Sequence, residues 1–245
     1  MSDSNPTLQD KIGQMVLAGF RGFQVSAIDP IVRDLANRNL GAVILFDQEM
    51  ADTHIKRRNI QPPEQVRSVV QSRHSSAKTP LLVSIDQEGG RVNRLKADYG
   101  FPETLSHEEL GKRDDLSFTY EHAELIGKTL AGLGINLNLA PVVDLDANPD
   151  NPIIKGKKRS FHSDPEIVAK HAIEFARAHH KHGVITCSKH FPGHGSAMGD
   201  THLGMVDVTK AWNEREWIPV QRVIGAGGAE VVVTAHVWHT RLDAD

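Results

Sequence analysis

The stretch GVITCSKHFPGHGSAMGDTH, residues 183–202, starts as a strand and finishes as a loop. Its opening is apolar or small with no polar alternation, the pattern of a strand covered on both faces. Lys189 and His190 stand where that strand stops, and Pro192, Gly193 and Gly195 prevent a regular continuation. Five other runs have the same character: MVLAGF (15–20), GAVILF (41–46), PLLVSID (80–86), INLNLAPVVDL (135–145) and EVVVTAHV (230–237). They are short and rich in Val, Ile and Leu, as strands of a parallel sheet are when helices cover both faces.

Helical patterns lie between several of these runs. In DPEIVAKHAIEFARAHHKHG (164–183), Asp164 is placed to cap, Pro165 takes the first helical position and Gly183 stops the helix. Val168, Ala172, Phe175 and Ala176 form its apolar stripe, while His179, His180 and His182 are expected on its exposed part. Residues 118–133, closed by Gly132 and Gly134, read as a second helix and 63–74 as a third. Strand–helix–strand repetition with right-handed crossovers gives a parallel sheet. The polar residues choose its form: Asp47, Asp86, Asp144, Lys189, His190 and His236 all fall at C-terminal ends of expected strands. A ring of functional groups there suits a TIM-type (β/α)8 barrel, whereas an open sheet gathers them at one switch point. The expectation is a single barrel domain over 1–245 with about six βα units.

The chain has 245 residues, 39% of them hydrophobic, and a net charge of -3. That charge points away from nucleic acid and membrane surfaces, and KGKKR (155–159) is too short a basic run to reverse it. Neither a nucleotide-binding glycine motif nor an apolar span of about 20 residues is present. One cysteine, Cys187, excludes an internal disulfide and is expected in the core. The first residues lack the features of a signal peptide, so a reducing, cytoplasmic setting is expected.

Three segments carry chemistry. In SIDQEGGRVNRL (84–95), Asp86 ends a strand and two glycines turn the backbone before Arg91 and Arg94. A carboxylate beside arginines suits a polyhydroxylated ligand, since one accepts from hydroxyls and the other donates in a fork. A buried ion pair is an equal reading. The loop NPIIKGKKRSFHSDP (151–165) puts Arg159 just before an aromatic. In the opening stretch, Asp200 lies two residues from His202, and an aspartate that holds one ring nitrogen leaves the other as a general acid and base. Metal binding by His190, His194, Asp200 and His202 is the rival, although no H-E-x-x-H spacing occurs. A merely structured loop is the third reading.

KHFPGHG followed by D-x-H resembles the signature of glycoside hydrolase family 3, in its β-N-acetylglucosaminidase branch. DQEGGRVNR (86–94), NLNLAPVVD (136–144), RSF (159–161), TAHV (234–237) and RNI…PEQ (58–65) extend the resemblance over nearly the whole chain. It implies a barrel fold and retaining hydrolysis of terminal, non-reducing β-linked N-acetylglucosamine through a covalent glycosyl-enzyme, without cofactor or metal. It implies that Asp86, Arg94, Arg159, Lys189 and His190 bind the sugar, that His202 is the acid/base and that Asp200 orients it. It further implies a small carbohydrate substrate of muropeptide type and a place in peptidoglycan recycling. The oligomeric state is left open.

Two departures stand out. DQEMADTHIKR (47–57) intervenes between GAVILF and RNI as an apparent insertion. The family's nucleophile is an aspartate at the end of a seventh strand; six strands are counted, at roughly 30 residues per βα unit. The chain as given is therefore expected to lack the nucleophile and two strands, with Asp243 and Asp245 too close to the sixth strand to serve. A sugar-binding protein without hydrolysis is the alternative.

Overall fold

A computed structural model describes residues 5–24, 26, 28–49 and 57–242. Residues 50–56, most of the apparent insertion, lie outside the described residues, as do Asp243 and Asp245. The chain forms two compact units, each assembled from separated stretches: residues 1–86, 94–103 and 129–137, and residues 87–93, 104–128 and 138–245.

In the first unit, α1 (Leu8–Gln14), β1 (Leu17–Gly19), α2 (Pro30–Arg38), β2 (Ala42–Leu45), α3 (Pro63–Ser76) and β3 (Leu82–Ile85) alternate along the chain. The strands are parallel, with Leu17 beside Ala42 and Ala42 beside Leu82. Val43, Leu45, Val83 and Ile85 of the strands and Leu35, Val66, Val69 and Val70 of the helices are all buried. Asn59 is fully buried and ties two strand ends together: its Oδ1 accepts from the Phe46 amide and its Nδ2 donates to the Phe20 carbonyl. Asn136 does the same for β3, accepting from the Val83 amide and donating to the Leu81 carbonyl.

The second unit holds α4 (His107–Arg113), most of α5 (Leu116–Leu133), α6 (Pro165–His180), β5 (Ile185–Phe191), β6 (Val206–Asp207), α7 (Ile218–Gly225), β7 (Val231–Thr234) and β8 (Val237–Trp238). A short strand, β4 (Leu137–Asn138), precedes the segment 140–143, which runs along β5: Cys187 N–H donates to the Ala140 carbonyl and Val143 N–H to that of Lys189. β5 also pairs in parallel with β7, and β6 with β8. α6 starts as the sequence predicts, with the Asp164 carboxylate accepting from the Glu166 and Ile167 amides.

The strands differ from expectation in two respects: β6 and β8 form an additional two-stranded pair, and the cover of the expected strands is uneven. β2 and β3 are covered on both faces, but β1 and β7 are partly exposed along their length. Among the described residues β1 pairs only with β2 and β7 only with β5, so neither gains the cover that two flanking strands and their helices give.

A second correction concerns His179, which is fully buried; His180 and His182 are partly exposed. His179 follows Phe175 by four residues and so continues the apolar stripe. His107, Phe161, His171, Phe175 and His179 form a run of ring contacts, with centroids 4.1 Å apart for His107–Phe161 and 4.4 Å for Phe175–His179. His107 Nε2 accepts from the Val142 amide, and His179 Nδ1 donates to the Phe175 carbonyl while its Nε2 accepts from Asn138. Both rings are thus held neutral. Burial pulls His107 down to about 3 and His179 to about 4.

These values fix how stability responds to acid. An imidazole whose folded pKa lies below its unfolded value near 6.5 binds fewer protons in the native state, so stability falls as pH drops below about 6.5. The two rings together should remove about 4 kcal/mol between pH 7 and pH 5, a large share of a typical total. Burial pushes the Glu216 carboxyl up, which works in the opposite sense but through one group. Urea unfolding at the two pH values checks this. Equal midpoints at pH 7 and pH 5 would contradict neutral, buried histidines.

Candidate active site

The strand ends carry two groups of charged side chains, one in each unit. In the first unit β3 delivers Asp86, and the turn at 87–93 returns the chain so that Arg94 faces it. Arg94 Nη2 lies 3.5 Å from Asp86 Oδ2 and its Nη1 3.7 Å from Asp47 Oδ1. Lys96 Nζ lies 2.5 Å from Asp47 Oδ2. The ion-pair reading is thus met, and both Asp86 and Arg94 remain partly accessible.

The second unit brings together Arg159, Lys189 and His190. At their centre is Glu88, which is 1% exposed. Arg159 grips it in a fork, Nε to Oε2 at 2.8 Å and Nη2 to Oε1 at 2.7 Å, and Lys189 Nζ reaches Oε1 at 2.7 Å. Burial opposes ionisation of Glu88, yet the charges of Arg159 and Lys189 outweigh it and hold the carboxyl well below its usual range. Two cations are thereby fixed at a strand end with one carboxylate between them.

His190 is oriented by Asp144, which is likewise buried: Nδ1 donates to Asp144 Oδ2 at 2.6 Å. Burial pulls the His190 pKa down, and the Asp144 charge only partly offsets it. Asp144 itself is raised by burial but held low by His190 and by the His194 amide. The pair is a carboxylate beside a neutral imidazole, whose Nε2 accepts from Arg159 Nη2 at 3.5 Å. The Lys189–His190 peptide is cis.

Asp200 and His202 lie on the arm that follows β5. His202 Nδ1 donates to Asp200 Oδ1 at 2.6 Å, and the His202 amide reaches the same oxygen at 2.9 Å. Burial tends to raise Asp200, but the His202 hydrogen bonds keep it below its ordinary value. The His202 side chain is 75% exposed. With Nδ1 committed, Nε2 is the nitrogen that can give and take a proton. Among the described residues, no group of three or more His, Cys, Asp or Glu side chains is placed to hold a metal ion.

The glycines of this arm are required by packing. Residues 193–197 are buried. A Cβ on Gly193 would stand 2.6 Å from Glu216 Cβ, and one on Gly195 would stand 2.1 Å from the Leu145 carbonyl oxygen. Both are sites of close approach. Because the obstacle at Gly195 is backbone, Gly195→Ala should destabilise by about 1–3 kcal/mol. A thermal shift under about 1 °C would refute that packing.

Sequence reasoning named Asp86, Arg94, Arg159, Lys189, His190, Asp200 and His202 but passed over Glu88. The available signal was a glutamate inside the DQEGG turn, directly after an apolar strand, where an acid needs a buried partner.

The chain is thus a parallel β/α protein with carboxylates, a forked arginine and a lysine at its strand ends and an Asp–His pair on the arm that follows β5. The profile described as "Glycosyl hydrolase family 3 N terminal domain" matches residues 7–245, and the chain belongs to that family. It is similar to beta-hexosaminidase A of Pseudoalteromonas piscicida, 31% identical over 97% of this chain and 42% of that protein. It is also similar to a beta-hexosaminidase of Tolumonas auensis, 34% identical over 85% and 59% respectively. Among solved structures, a family 3 beta-N-acetylglucosaminidase from Paenibacillus sp. superimposes with a TM-score of 0.87 at 35% identity, covering 98% of this chain and 44% of that one. NagZ from Neisseria gonorrhoeae, in complex with N-trifluoroacetyl-D-glucosamine, gives 0.81 at 28% identity over 93% and 65%. The fold is therefore that of the family's barrel-type N-terminal domain. The chain spans about two fifths to two thirds of the length of these relatives.

Proposed function

We propose that this chain serves the hydrolysis of terminal, non-reducing β-linked N-acetylglucosamine with retention of configuration. The observation that carries the reading is the Asp200–His202 pair: a carboxylate fixes Nδ1 at 2.6 Å and leaves Nε2 outward on an exposed arm. Retaining hydrolysis needs one group that protonates the leaving oxygen and then removes a proton from water. An imidazole with one nitrogen anchored meets both demands. Arg159, Lys189 and His190 supply rigid donors and an acceptor for sugar hydroxyls, and Asp86 and Arg94 are assigned to the sugar with them. The resemblance gives the nucleophile's role to an aspartate at the end of a seventh strand, and none of the residues assigned here takes it.

The relatives' names support the hexosamine class, and a bound glucosamine derivative in one solved structure supports the sugar. The finer setting proposed is the recycling of muropeptide-like fragments in the cytoplasm, which cell fractionation checks.

A chromogenic β-N-acetylglucosaminide tests the reaction with the protein as its gene encodes it. Turnover of that substrate, and at least about tenfold less of the matching β-glucoside, is expected, because the site's polar groups select by pairing. Calorimetric binding of N-acetylglucosamine without turnover would replace this reading with that of a sugar-binding protein.

A further inference from the structure

The root of the arm is held by two buried carboxylates. Three successive amides point at them: His194 N–H donates to Asp144 Oδ1 at 2.7 Å, and those of Gly195 and Ser196 donate to Glu216 Oε2 at 3.1 and 3.3 Å. The carbonyls of His194 and Gly195 are taken by Asn151 Nδ2 at 2.8 and 3.2 Å. Donors and acceptors of the same short segment are thus fixed from opposite sides. Two residues beyond Ser196 the chain emerges. Met198, Leu203 and Met205 are strongly exposed, and Asp200 and His202 lie between them. The chain is buried again at Val208, which packs with Ala197 and Trp212.

Glu216 stands on the 3-10 turn Glu214–Trp217, after the arm has returned. It belongs to none of the motifs that carry the family resemblance. It is 1% exposed, and Gly193 is bare so that the chain can pass against its side chain. A buried carboxylate is a costly way to fill space, and an apolar residue of similar volume would cost less. Its position is explained by the amides it receives.

We infer that Glu216 is a positioning residue for the proposed proton transfer: by anchoring the Gly195 and Ser196 amides it sets the direction in which the arm carries His202. The inference rests on the reading of His202 as acid/base. His202 lies six positions beyond Ser196, a reach of up to about 20 Å, so a small rotation at the root displaces the imidazole by ångströms. A misplacement of about 1 Å costs about a hundredfold in rate. Asp144 cannot isolate this effect, because it also orients His190. The hydrogen bonds of Glu216 run to the root of the arm, at the Gly195 and Ser196 amides, so removing it should separate rate from affinity.

Glu216→Ala and Glu216→Gln, made in the protein as its gene encodes it, test the role by two readouts. In Glu216→Ala, hydrogen exchange at Gly195 and Ser196 should quicken by about tenfold or more, as expected for amides that lose a buried acceptor. The kcat/KM, which reports glycosylation, should fall by about tenfold or more for aryl β-N-acetylglucosaminides with poor leaving groups and much less for activated ones, while the calorimetric affinity for N-acetylglucosamine should change by less than about threefold. Glu216→Gln, which keeps one acceptor oxygen, should recover part of both. Unchanged exchange across 193–203 would overturn the inference. So would faster exchange with kcat/KM unaffected, or an equal loss of kcat/KM for every leaving group, since either leaves Glu216 a structural clamp. Absence of turnover in the wild type would instead refute the hydrolase reading and take the positioning role with it.

Discussion

Glu88→Ala should destabilise the second unit by about 3–5 kcal/mol, the usual cost of removing one partner from a buried charge network. The residue sits between Arg159 and Lys189, whose side chains are 10% and 5% exposed, and offers both its oxygens to them. Without it the carboxylate that the two cations share is gone. At 4 Å in a medium of effective dielectric near 20, like charges repel by about 4 kcal/mol. Sugar affinity should fall with stability, because the arginine fork and the lysine lose the group that orients them. Glu88→Gln keeps the shape but not the charge and should fall between. Thermal melting reads the first effect, at about 2–4 °C per kcal/mol for a chain of this length, and calorimetry with N-acetylglucosamine reads the second. A melting point within about 2 °C of wild type would mean that the network is not what holds this strand end.

The same residue shows where sequence reading stops. All six expected strands are present, because continuous apolar runs bounded by Gly, Pro and Asp leave little else for those segments to form. Long helices such as α6 announce themselves by cap, proline and stripe. The short ones did not. α4 is closed by a capping box, with Ser106 and Glu109 each bonded to the other's amide, in SHEEL, but seven residues give too brief a stripe to register a period. α1 has a capping box too, between Thr7 and Asp10, yet no buried residue to mark a face.

For the site, the residues at strand ends were legible because chemistry-bearing side chains there interrupt apolar runs. Their supports were not. Glu88, Asn138, Asn151 and Glu216 act through partners 71, 41, 43 and 21 residues away, and no local pattern encodes such a pairing. Histidines were the hardest to place. His179 looked like one of three surface imidazoles in AHHKH, and only the extension of a stripe by one turn distinguished the one that became core. The glycines of FPGHG mark the end of the strand in the sequence, but each also sits where a side chain would strike its neighbour. Composition reports that a Cβ is absent, and only packing reports why.

His202→Ala should lower kcat by about 10²–10⁴-fold, the range expected when a positioned acid/base is removed. The side chain is mostly in solvent, so the variant should melt within about 1 °C of wild type, as surface substitutions do. The loss then reports chemistry and not folding. Its dependence on the leaving group is the sharper test. An imidazole that protonates the departing oxygen matters most when that oxygen is a sugar hydroxyl and least when it is an acidic phenol. Glycosylation of activated aryl substrates should survive in large part, whereas deglycosylation, in which the same nitrogen removes a proton from water, should not. Pre-steady-state kinetics on such a substrate should therefore show a burst followed by a slow steady state. Asp200→Asn removes the charge that stabilises the imidazolium while leaving an acceptor near Nδ1, and should give the same pattern more mildly. A His202→Ala variant within about threefold of wild type for every leaving group would require the acid/base to be sought elsewhere. The buried His190, already oriented by Asp144, would be the first residue to replace.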